Sequence, residues 1–597
     1  MKFFRKTIDI DLRVWFMIII GGENVKIKDV EKITGLTPKA IRLYESKGLI
    51  HISRDENRYR NYSEDDIRKL KTIKLLRKAG ISIADIKLYI FGVMSLEEII
   101  NKRKAEILKE SGKRSDEYRN CENIYQKIDT DDLRSVETLT ENEEIALSEH
   151  GELSVGIDIG TTTVSAVVYD IDNRVQIEAY SIPHNSYVRS DIFSEQSVSV
   201  IMNKAEKILY HILKCYTNVI SIGVTGQMHG IVYIDNDGNS VSNLINWQDK
   251  RADQKLENGK TVYEHIGDIT GNLIPTGYGI ATHFFNCCKG LTPEKSAGIC
   301  SIMDLFAMRI CGLKKPVTHT SVAASFGLFD VKGGVFKKDK LSVLGIEESF
   351  LPCVTGETLV IGECRGIPVS VAIGDNQASF LGTVCENKDS ILVNIGTGSQ
   401  ISTVSDYREL SGDLELRPFI DGKYLVCGSA LCGGYAYSMV EQFFRSYVSY
   451  AGVLDEPQYK VINRLAQEAY ENGDVGLAVD VAFLGKRSDP AKRGSVKGIG
   501  RQNFTPGALV LGVLKGMCNE LYDLYKGINV RKNNVIASGG AVKKNCVLRN
   551  LIADRFGMSV SVNVIEEEAA TGAALFSAYA VGKIKYNNGF SEYIKYL

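Results

Sequence analysis

The sequence predicts an α/β protein in which a large two-domain body follows a small α-rich domain. Strand–turn–strand patterns at 155–170 and 391–404 each have a turn made of glycine and hydroxyl residues. Two such hairpins about 240 residues apart indicate two related domains, each offering a turn to a shared ligand. Short helical patterns with many basic residues before position 95 predict the α-rich domain.

The composition excludes several classes of protein. A chain of 597 residues with 44% hydrophobic residues and 11 prolines is typical of a folded protein of about three to four domains, not of a disordered or fibrous one. The 13 cysteines include no CxxC pair, which favours reduced thiols in a cytoplasmic protein over a disulfide framework or a zinc site. The early apolar run at 14–20 is too short to cross a bilayer, so no membrane contact is expected.

Residues 1–24 are interpreted as an N-terminal extension. Met1–Arg13 is basic, but Asp9 and Asp11 interrupt it and no small-residue cleavage site follows, which argues against a signal peptide. Met17 is an alternative start of translation, and the sequence leaves both starts open.

Residues 25–62 have the pattern of two short helices joined by a tight turn and followed by a β-rich wing. Val25–Ile33 predicts an amphipathic helix and Thr34–Gly35 a turn, while Thr37 caps a second helix that Pro38 opens. This arrangement is typical of a helix-turn-helix. The side chains expected to reach the phosphates and base edges of double-stranded DNA are Lys39, Arg42, Tyr44, Arg58 and Arg60.

The net charge of −1 hides a basic segment. Lys26–Lys87 contains 16 Lys and Arg against 9 Asp and Glu, a local excess that suits contact with nucleic acid. Ser63 and Asp66 predict a capping box at the start of a third helix. Residues 95–128 have apolar positions at helical spacing and are predicted to form a dimerisation or linker helix, whereas the acidic residues 129–152 predict a flexible linker.

This first domain, 25–94, resembles the winged-helix DNA-binding domain of the MerR family. The resemblance rests on VKIKDVEKITGLTPKAIRLYESKGLI and NRYRNYSEDDIRKLKTIKLLRKAGISIADIKLYI, and departs from the family only at IRLYE, where two aromatic residues are usual. It implies binding to double-stranded DNA and a homodimer. The alternative is a helical spacer with a solvated basic face.

The first hairpin, VGIDIGTTTVSAVVYD at 155–170, has the features of a phosphate-binding turn. Gly160 allows a ligand to approach the backbone closely, and Asp158 is placed to hold a hydrated magnesium ion. The loop lacks the GK[ST] ending of a P-loop, and an ordinary β-hairpin with a threonine-rich turn is the alternative. The hydroxyl and N–H donors expected to bind phosphate oxygens are those of Thr161, Thr162 and Thr163.

A polar turn between two apolar strands at 220–235 predicts hydrogen bonding to a sugar. The turn contains Gln227, Met228 and His229, which places an amide and an imidazole at a strand end. A histidine in such a turn also fits a purely structural role, and the residues alone leave both roles open.

The segment LINWQDKRAD at 244–253 predicts a second part of the sugar site. Trp247 offers an aromatic face, and Gln248 and Asp249 offer an amide and a carboxylate beside it. A polyol has apolar C–H faces and hydroxyl edges, which this combination of groups suits. The alternative is a core tryptophan beside a surface ion pair.

A carboxylate at 375 is a candidate general base. In VSVAIGDNQASFLGT at 369–383 a buried strand ends at Gly374, and Asp375 followed by Asn376 opens a helix of small residues. A carboxylate at such a junction can accept a proton from a substrate hydroxyl. The alternative is a helix N-cap, a frequent use of aspartate.

The C-terminal third repeats the hairpin and adds a glycine pair. ILVNIGTGSQISTV at 391–404 has the turn Gly396, Thr397, Gly398 and Ser399, and VIASGGAVKKN at 535–545 ends a strand at Gly539 and Gly540. Only glycine allows a flat ligand such as adenine against the backbone. An Ala/Gly-rich helix at 566–575 is expected to pack closely behind this pair.

These segments, in this order, resemble the FGGY carbohydrate kinases over about residues 153–583. The supporting motifs are GVTGQMHGIV, NWQDKR, TGYGIATHFF, GLKKPVTHTSVAASFGLFD, VAIGDNQASF and FLGKRSDPAKRGSVKGI. The sequence is most similar to the sedoheptulokinases of this family, and xylulokinases share GQMHG and a GDN segment. The resemblance implies the two-domain actin-like ATPase (ribonuclease H-like) fold, with kinase domains at 153–385 and 386–597.

The resemblance also implies roles for individual residues. Asp375 would be the general base and Asp158 the magnesium ligand, while the two hydroxyl-rich turns would hold the phosphates of ATP. The ketose would contact Gln227, Met228, His229, Trp247, Gln248, Asp249 and Asn376, and the adenosine would lie against Gly539, Gly540 and Asn545. One departure is Ser165, because the family usually has Lys or Arg there and a cation beside the phosphates is lost.

The implied activity is ATP- and Mg²⁺-dependent phosphorylation of the terminal hydroxyl of a ketose, sedoheptulose giving sedoheptulose 7-phosphate. A xylulokinase or related pentulose kinase is the alternative within the family. A sugar-sensing regulator whose body only binds an effector, and a plain kinase with a vestigial head, are the alternatives from other classes.

Overall fold

The computed structural model describes residues 26–50, 52–54, 60–111, 121, 150–188, 190, 193–386, 388–410, 412–452, 457–473, 477–486, 489, 491–587 and 589–596. The chain divides into two compact units, 1–149, which we call the head, and 150–597, which we call the body. The expected N-terminal extension and most of the acidic linker lie outside the described residues.

The head begins as a helix-turn-helix with a short wing. Its described elements are α1 (Ile27–Thr34), α2 (Pro38–Ser46), β1 (Ser53–Arg54), β2 (Arg60–Asn61), α3 (Glu64–Lys78), α4 (Ile83–Ile90) and α5 (Leu96–Ser111). Gly35 ends α1 in the left-handed region at φ 62°, and the Thr37 hydroxyl accepts a hydrogen bond from the N–H of Ala40 to cap α2. The strands pair antiparallel, as expected for a wing.

The caps and the core of the head follow the predicted pattern. Ser63 and Asp66 form a reciprocal capping box at the start of α3, as the sequence predicts. The core is apolar and is formed by Val30, Ile41, Leu49, Leu70, Ile73, Leu76, Ile86 and Leu88. Residues 112–120 and 122–128 of the expected dimerisation helix lie outside the described residues.

The body is built on two sheets and the helices that cover them. Its strands are β3 (Leu153–Ile159), β4 (Thr163–Asp170), β5 (Val175–Pro183), β6 (Tyr187–Val188), β7 (Glu195–Gln196), β8 (Val219–Gly226), β9 (Val232–Ile234), β10 (Leu244–Ile245), β11 (Gly298–Cys300), β12 (Val317–His319), β13 (Phe329–Asp330), β14 (Val335–Phe336), β15 (Cys353–Thr355), β16 (Val360–Cys364), β17 (Ile367–Ser370), β18 (Ile373–Gly374), β19 (Ser390–Ile395), β20 (Ser399–Ser405), β21 (Leu414–Pro418), β22 (Tyr424–Ala430), β23 (Ala478–Asp480), β24 (Ser495–Lys497), β25 (Asn534–Ser538) and β26 (Ser559–Val562).

The helices of the body are interleaved with these strands. They are α6 (Val198–Cys215), α7 (Val262–Thr270), α8 (Gly279–Lys289), α9 (Ile302–Ile310), α10 (Thr320–Ala323), α11 (Lys338–Val343), α12 (Asp375–Leu381), α13 (Gly434–Tyr450), α14 (Tyr459–Glu471), α15 (Pro506–Ile528), α16 (Gly540–Lys544), α17 (Cys546–Phe556) and α18 (Glu568–Ala580). Short 3₁₀ turns lie at Arg251–Asp253, Ala324–Phe326 and Glu348–Phe350.

Both predicted hairpins are confirmed, and each lies in a different sheet. The first sheet has the order β16-β17-β8-β3-β4-β5, with β18 also paired to β8. The second has the order β21-β22-β20-β19-β25-β26. In each sheet the hairpin is antiparallel and its first strand is also parallel to a later one, β8 in the first sheet and β25 in the second. Similar topology in the two sheets agrees with the two related domains that the sequence predicts.

The last long helix, α18, connects the two halves of the body. Its backbone lies directly on the first sheet, because a Cβ built at Gly156 would be 1.8 Å from the carbonyl oxygen of Ala570. A Cβ at Gly223 would be 1.9 Å from that of Ala573. Glu568 at the start of this helix lies 3.4 Å from Lys543 of α16, and close packing of the helix behind the glycine pair at 539–540 stays a prediction. The bounds expected for the two kinase domains remain predictions.

The described residues contain no helix that is both long and apolar enough to span a membrane. All thirteen cysteines are free thiols.

Candidate functional site

A cavity of about 210 Å³ opens where the two hairpins approach each other. Polar side chains from the first half of the body form one wall and residues of β19 and β20 form the other. The lining residues are Asp158, Gly160, Thr161, Gln227, Asp375, Asn376, Ser379, Leu392, Asn394, Gln400, Ser402 and Ala569. The structure therefore brings together the residues that the sequence predicts as general base and metal ligand, with part of the predicted phosphate turn and part of the predicted sugar site.

Asp158 lies at the end of β3 and is partly exposed to the cavity. Its Oδ1 is buried and accepts no hydrogen bond from the described residues. Burial, together with the negative charges of Asp375 and Glu567, raises the pKa of Asp158 to about 8. A cation would relieve both the unpaired oxygen and the charge repulsion, so this carboxylate fits a magnesium ion.

Asp375 is the first residue of α12, and Gly374 occupies the N-cap position. The N-cap alternative for this carboxylate is therefore wrong. Burial raises the pKa of Asp375 to about 6, although the charge of Arg417 and hydrogen bonds from Asn376 lower it. The Asn376 side chain donates to Asp375 Oδ1 at 2.9 Å. A base with these properties is ionised at neutral pH and can still accept a proton.

Arg417 at the end of β21 was not singled out from the sequence. Its Nε and Nη2 donate to Glu415 Oε2 at 3.1 and 2.6 Å, whereas its buried Nη1 has no partner among the described residues. The following residue, Pro418, accepts a hydrogen bond at 2.9 Å from Gln377 of α12. Arg417 therefore lies in the second half of the body, but its charge lowers the pKa of Asp375 in the first half. No local pattern distinguishes it from any charged residue at the end of a strand.

Side chains of the predicted sugar site hold the first phosphate turn. The indole N–H of Trp247 donates to the hydroxyl of Thr161 at 3.0 Å, and Gln196 donates to the carbonyl of Thr161 at 2.7 Å. Gln227 donates to Gly160 O at 3.3 Å and to Gln196 Oε1 at 2.9 Å. Its own Oε1 is buried without a described partner, which leaves an acceptor for a ligand hydroxyl.

The other two threonines of this turn have different surroundings. Thr162 is exposed and its carbonyl accepts from the N–H of His184 at 3.1 Å, while Thr163 begins β4 and its carbonyl accepts from Gly160 N at 2.9 Å. These backbone bonds fix the turn. The N–H groups and hydroxyls that the sequence assigns to phosphate binding remain candidates.

The tryptophan segment divides into an exposed part and a buried part. Trp247 is 46% exposed, so it is not a core residue, and Gln248 is exposed beside the Tyr187 hydroxyl at 2.8 Å. Asp249 is only 1% exposed, and both its oxygens accept hydrogen bonds from Arg251. The N–H of Ser194 donates to the same carboxylate at 2.8 Å. Asp249 therefore orders the loop instead of reaching the ketose as the sequence suggests.

His229 has a strained backbone at φ 72°, which is unusual for a residue with a side chain. Its Nδ1–H donates to the carbonyl of Ser325 at 3.0 Å, and its ring stacks on Tyr278 at 4.2 Å between centroids. Met228 is buried and lies 3.8 Å from the amide nitrogen of Asn376. These contacts fix the turn beside Asp375, although neither His229 nor Met228 lines the cavity itself.

The second turn is exposed and packs on the start of α13. Gly396 and Thr397 are exposed, and Gly398 and Ser399 are more covered. The N–H groups of Gly433 and Tyr435 donate to the carbonyl of Thr397 at 3.0 and 2.9 Å, and that of Gly434 donates to Gly396 O at 2.8 Å. No residue of this turn lines the cavity, but β19 and β20, which it joins, both do.

The two predicted adenosine glycines differ in their surroundings. Gly539 has φ 92°, and a Cβ there would be 2.4 Å from the carbonyl oxygen of Ile395, so this glycine serves close packing of β25 against β19. A Cβ at Gly540 would meet nothing within 4 Å, which leaves an open backbone face for a flat group. Asn545 is buried and caps α17 through its bond from Leu548 N, a structural contact beside this face.

Six cavity residues were missed by the sequence reasoning, and three of them, Asn394, Gln400 and Ser402, are polar residues of the second hairpin. They project from the two strands of the second hairpin. The sequence did contain a signal for them, because polar residues interrupt otherwise apolar strands in ILVNI and SQISTV. Ser165 by contrast is 2% exposed, with its hydroxyl 3.0 Å from that of Ser181, so it faces a neighbouring strand and supplies no charge.

The candidate DNA-contacting residues of the head also divide into two groups. Lys39 and Arg42 are exposed on α2, while Arg60 donates to Glu45 at 2.7 Å. Tyr44 is 7% exposed and is one of the buried residues of α2, so its burial argues against the expected contact with DNA. Arg58 lies outside the described residues.

Comparison with known proteins agrees with the division of the chain into a head and a body. The families described as "FGGY family of carbohydrate kinases, N-terminal domain" and "C-terminal domain" match residues 153–382 and 392–581, and "MerR HTH family regulatory protein" matches residues 25–90. Human sedoheptulokinase is 25% identical over 475 residues, covering 71% of this chain and 96% of the relative. Xylulose kinase of Staphylococcus xylosus is 25% identical over 471 residues, covering 73% and 93%.

Solved structures show the same fold for the body. A ligand-bound xylulose kinase from Lactobacillus acidophilus superimposes with a TM-score of 0.63 at 22% identity, covering 74% of this chain and 92% of that one. The chain therefore belongs to the FGGY family of carbohydrate kinases, and it is an ATP-dependent sugar kinase that carries a MerR-type helix-turn-helix domain.

Proposed function

We propose that this protein transfers the terminal phosphoryl group of MgATP to the terminal hydroxyl of a ketose, sedoheptulose giving sedoheptulose 7-phosphate. The observation that carries the proposal is the convergence of Asp158, Asp375 and Gln227 on one cavity between the two hairpins. The similarity to sedoheptulokinases supports sedoheptulose as the substrate. The similarity to xylulose kinases makes a pentulose the second candidate.

The proposed roles follow from the contacts of each residue. Asp375 accepts the proton of the sugar hydroxyl, held in position by Asn376 and kept ionised by Arg417. Gln227 offers its unpaired carbonyl oxygen to a sugar hydroxyl, and the exposed ring of Trp247 covers a C–H face. Each of these groups acts through position or charge, which is what phosphoryl transfer requires of a protein.

The residues also fit the nucleotide and its metal. ATP supplies the phosphoryl group, and Mg²⁺ supplies charge neutralisation. Asp158 would hold the ion, the turns at 160–163 and 396–399 would hold the phosphates, and the open face of Gly540 would border the adenosine. Since Ser165 is uncharged and buried, Arg417, whose charge lowers the pKa of Asp375, is the candidate to balance negative charge there.

The head is proposed to bind double-stranded DNA through α2. Lys39 and Arg42 are exposed on that helix, where they can contact phosphates and base edges.

Arg42→Ala should weaken binding to duplex DNA from upstream of the protein's own gene. It should also lower the slope of log affinity against log salt concentration by about one. Arg68→Ala, which removes an exposed arginine of α3, is the matched control. Retention of full affinity in the Arg42 variant would contradict DNA contact by this helix.

The catalytic proposal is tested by ADP release from the full-length protein with a panel of ketoses and polyols. Turnover should depend on the sugar, be fastest with sedoheptulose and be lost in Asp375→Asn. Asp339→Asn, an exposed carboxylate of α11, is the control for loss of one charge. Fastest turnover with xylulose or ribulose would reassign the substrate within the family.

The regulatory alternative has its own signature. A body that only senses a sugar would bind it tightly by calorimetry without ADP release. The loss of a cation at Ser165 favours this alternative. Catalysis is favoured by a buried Asp375 with a pKa of about 6, which the charge of Arg417 lowers.

A further inference from the structure

A buried histidine and a buried serine lie close to Asp375 in the first half of the body. His319 is the last residue of β12, and Ser321 lies in the single turn of α10. Both residues are 0% exposed, and neither lines the cavity. Any effect of these two side chains on the reaction must therefore pass through another residue.

The hydrogen bonds between these two residues have a defined direction. The backbone N–H of Ser321 donates to Nδ1 of His319 at 3.2 Å, which makes this nitrogen an acceptor. Burial lowers the pKa of His319 to about 4, so the ring is neutral at neutral pH and its proton lies on Nε2. The Ser321 hydroxyl is 2.8 Å from the same Nδ1 and therefore donates to it.

The oxygen of this hydroxyl accepts a hydrogen bond from the residue that precedes Asp375. The backbone N–H of Gly374 donates to Ser321 Oγ at 3.1 Å. A hydroxyl that donates to an imidazole is a stronger acceptor, because hydrogen bonds in a chain polarise one another. Since both partners are buried, water does not replace this bond when it is lost. The chain of bonds from His319 therefore ends one residue before the candidate base.

The start of α12 depends on this bond because its own residues do not supply one. Gly374 ends β18, occupies the N-cap position of α12 and has no side chain to cap the helix. A Cβ there would be 2.6 Å from Gln377 Oε1 and 2.9 Å from Met228 Sδ, so no capping side chain fits. In a capping box the N-cap N–H bonds to a side chain of the same helix, whereas here it bonds to Ser321 of α10.

The position of the Asp375 carboxylate follows from that of Gly374. Asp375 is the next residue, and the Asn376 side chain that donates to its Oδ1 at 2.9 Å belongs to the same helical turn. A shift of this turn would move both residues together. A misplacement of a reacting group by about 1 Å can cost on the order of 10²-fold in rate.

The other end of the chain of bonds is anchored in the core of the body. His319 lies opposite Thr355 in the parallel pair of β12 and β15. Its ring packs edge-on against Phe576 of α18, with 6.0 Å between the centroids. The preceding residue, Thr318, donates its hydroxyl to the buried Asp304 at 2.8 Å. The support for Gly374 is therefore rigid.

We propose that Ser321 and His319 are positioning residues for Asp375, which hold the N–H of Gly374 and so fix the first turn of α12 against the cavity. The hydroxyl of Ser321 makes the bond, and the imidazole of His319 orients the hydroxyl. The inference rests on the proposed function, because that function makes Asp375 the general base. Neither residue exchanges a proton with the sugar.

Hydrogen exchange of the full-length, ligand-free protein tests the contact without turnover. Ser321→Ala removes the acceptor, so the amide of Gly374 should exchange about tenfold faster, measured in the peptide that contains β18 and the start of α12. Thr270→Val is the matched control, because it removes a buried hydroxyl that accepts the N–H of Asn272, also at 3.1 Å. Unchanged exchange in Ser321→Ala, or the same acceleration in Thr270→Val, would overturn the proposal.

Two variants of His319 separate the acceptor from the volume of the side chain. Asparagine places its Oδ1 where histidine has Nδ1, whereas leucine has a similar shape and no acceptor. His319→Asn should therefore exchange the Gly374 amide more slowly than His319→Leu, which should behave like Ser321→Ala. Equal exchange in the two variants would overturn the role of the imidazole.

Steady-state kinetics connects the contact to the reaction. Ser321→Ala and His319→Leu should lower kcat by about 10- to 100-fold and leave the KM for the ketose unchanged, because the base is misplaced while the sugar contacts remain. His319→Asn should restore most of kcat, and Thr270→Val should not change it. A wild-type kcat in Ser321→Ala would overturn the positioning and leave the proposed function intact. Absence of sugar-dependent ADP release in the wild type would instead contradict the proposed function, and hydrogen exchange would still decide the contact.

Discussion

At the scale of single residues, the chemistry of the cavity depends on two carboxylates with different environments. Burial raises the pKa of both, to about 8 for Asp158 and about 6 for Asp375. Asp158 is raised further by the charges of Asp375 and Glu567, while Arg417 lowers the pKa of Asp375. Carboxylates whose pKa values are pushed apart suit different roles, here a cation ligand and a proton acceptor.

The pH dependence of catalysis follows from Asp375. A general base must be ionised, so kcat should fall as the pH drops below about 6 and approach a tenfold loss for each further pH unit. Asp375→Asn removes the base and should lower kcat by about 10²–10⁴ while abolishing this limb of the profile. The measurement is kcat between about pH 5 and 9 at saturating MgATP, with Asp339→Asn as the control. A wild-type rate that stays constant down to pH 5 would contradict the assignment.

Asp158 should reduce the stability of the ligand-free protein at neutral pH. Its pKa is raised on folding, so between about pH 4 and 8 the folded state holds a proton that the unfolded state has lost, and stability falls as the pH rises. Asp158→Asn should therefore increase the free energy of unfolding of the body at pH 8 by about 1–2 kcal/mol.

The measurement for Asp158→Asn is thermal unfolding in a chelator, compared at about pH 5 and pH 8. The increase in unfolding temperature over the wild type should be larger at pH 8 than at pH 5. Asp339→Asn should show no such difference between the two pH values. An increase of the same size at both pH values would mean that charge repulsion at Asp158 does not cause the stabilisation.

At the scale of elements, the position of α18 depends on backbone-to-backbone contact. The helix can lie on β3 and β8 only because Gly156 and Gly223 have no side chain at the contact. The hydroxyl groups of Ser154, Ser221 and Ser577 hydrogen-bond one another within this contact, at 2.8–3.1 Å. Close packing and satisfied polar groups together fix how the last helix sits on the first sheet.

Two glycine substitutions should separate packing from ligand binding. Gly156→Ala forces a Cβ to 1.8 Å from the Ala570 carbonyl, so it should lower the free energy of unfolding by about 1–3 kcal/mol or more. Gly540→Ala meets no protein atom within 4 Å and should leave stability unchanged while weakening ADP binding. The measurements are urea unfolding and calorimetric titration with ADP. Equal ADP affinity in Gly540→Ala and the wild type would argue against adenosine at this face.

At the scale of the whole molecule, one chain joins a helix-turn-helix head to a sugar kinase body. The MerR resemblance implies a homodimer, which would carry two heads, and dimeric helix-turn-helix proteins bind two half-sites of DNA at once. Once one head is bound, the second binds from a high effective concentration.

Local patterns were sufficient to predict much of this protein. The hairpins at 155–170 and 391–404 follow from a period of two in apolar residues and from glycine at the turn, which are properties of adjacent residues. The caps at Thr37 and Ser63 follow from side-chain bonds within three residues. The MerR and FGGY families were identified from the order of such segments.

Tertiary structure decided the features that depend on distant parts of the chain. Tyr44 and Asp249 have the residue types of binding sites, but packing buries one and pairs the other with Arg251, and burial cannot be read from neighbouring residues. Arg417 reaches the surroundings of Asp375 only because β21 of the second sheet meets α12 of the first half. The sequence by itself determined the elements, the families and the candidate base; which side chains share the cavity, and with what pKa, was decided by contacts and desolvation that exist only in the folded chain.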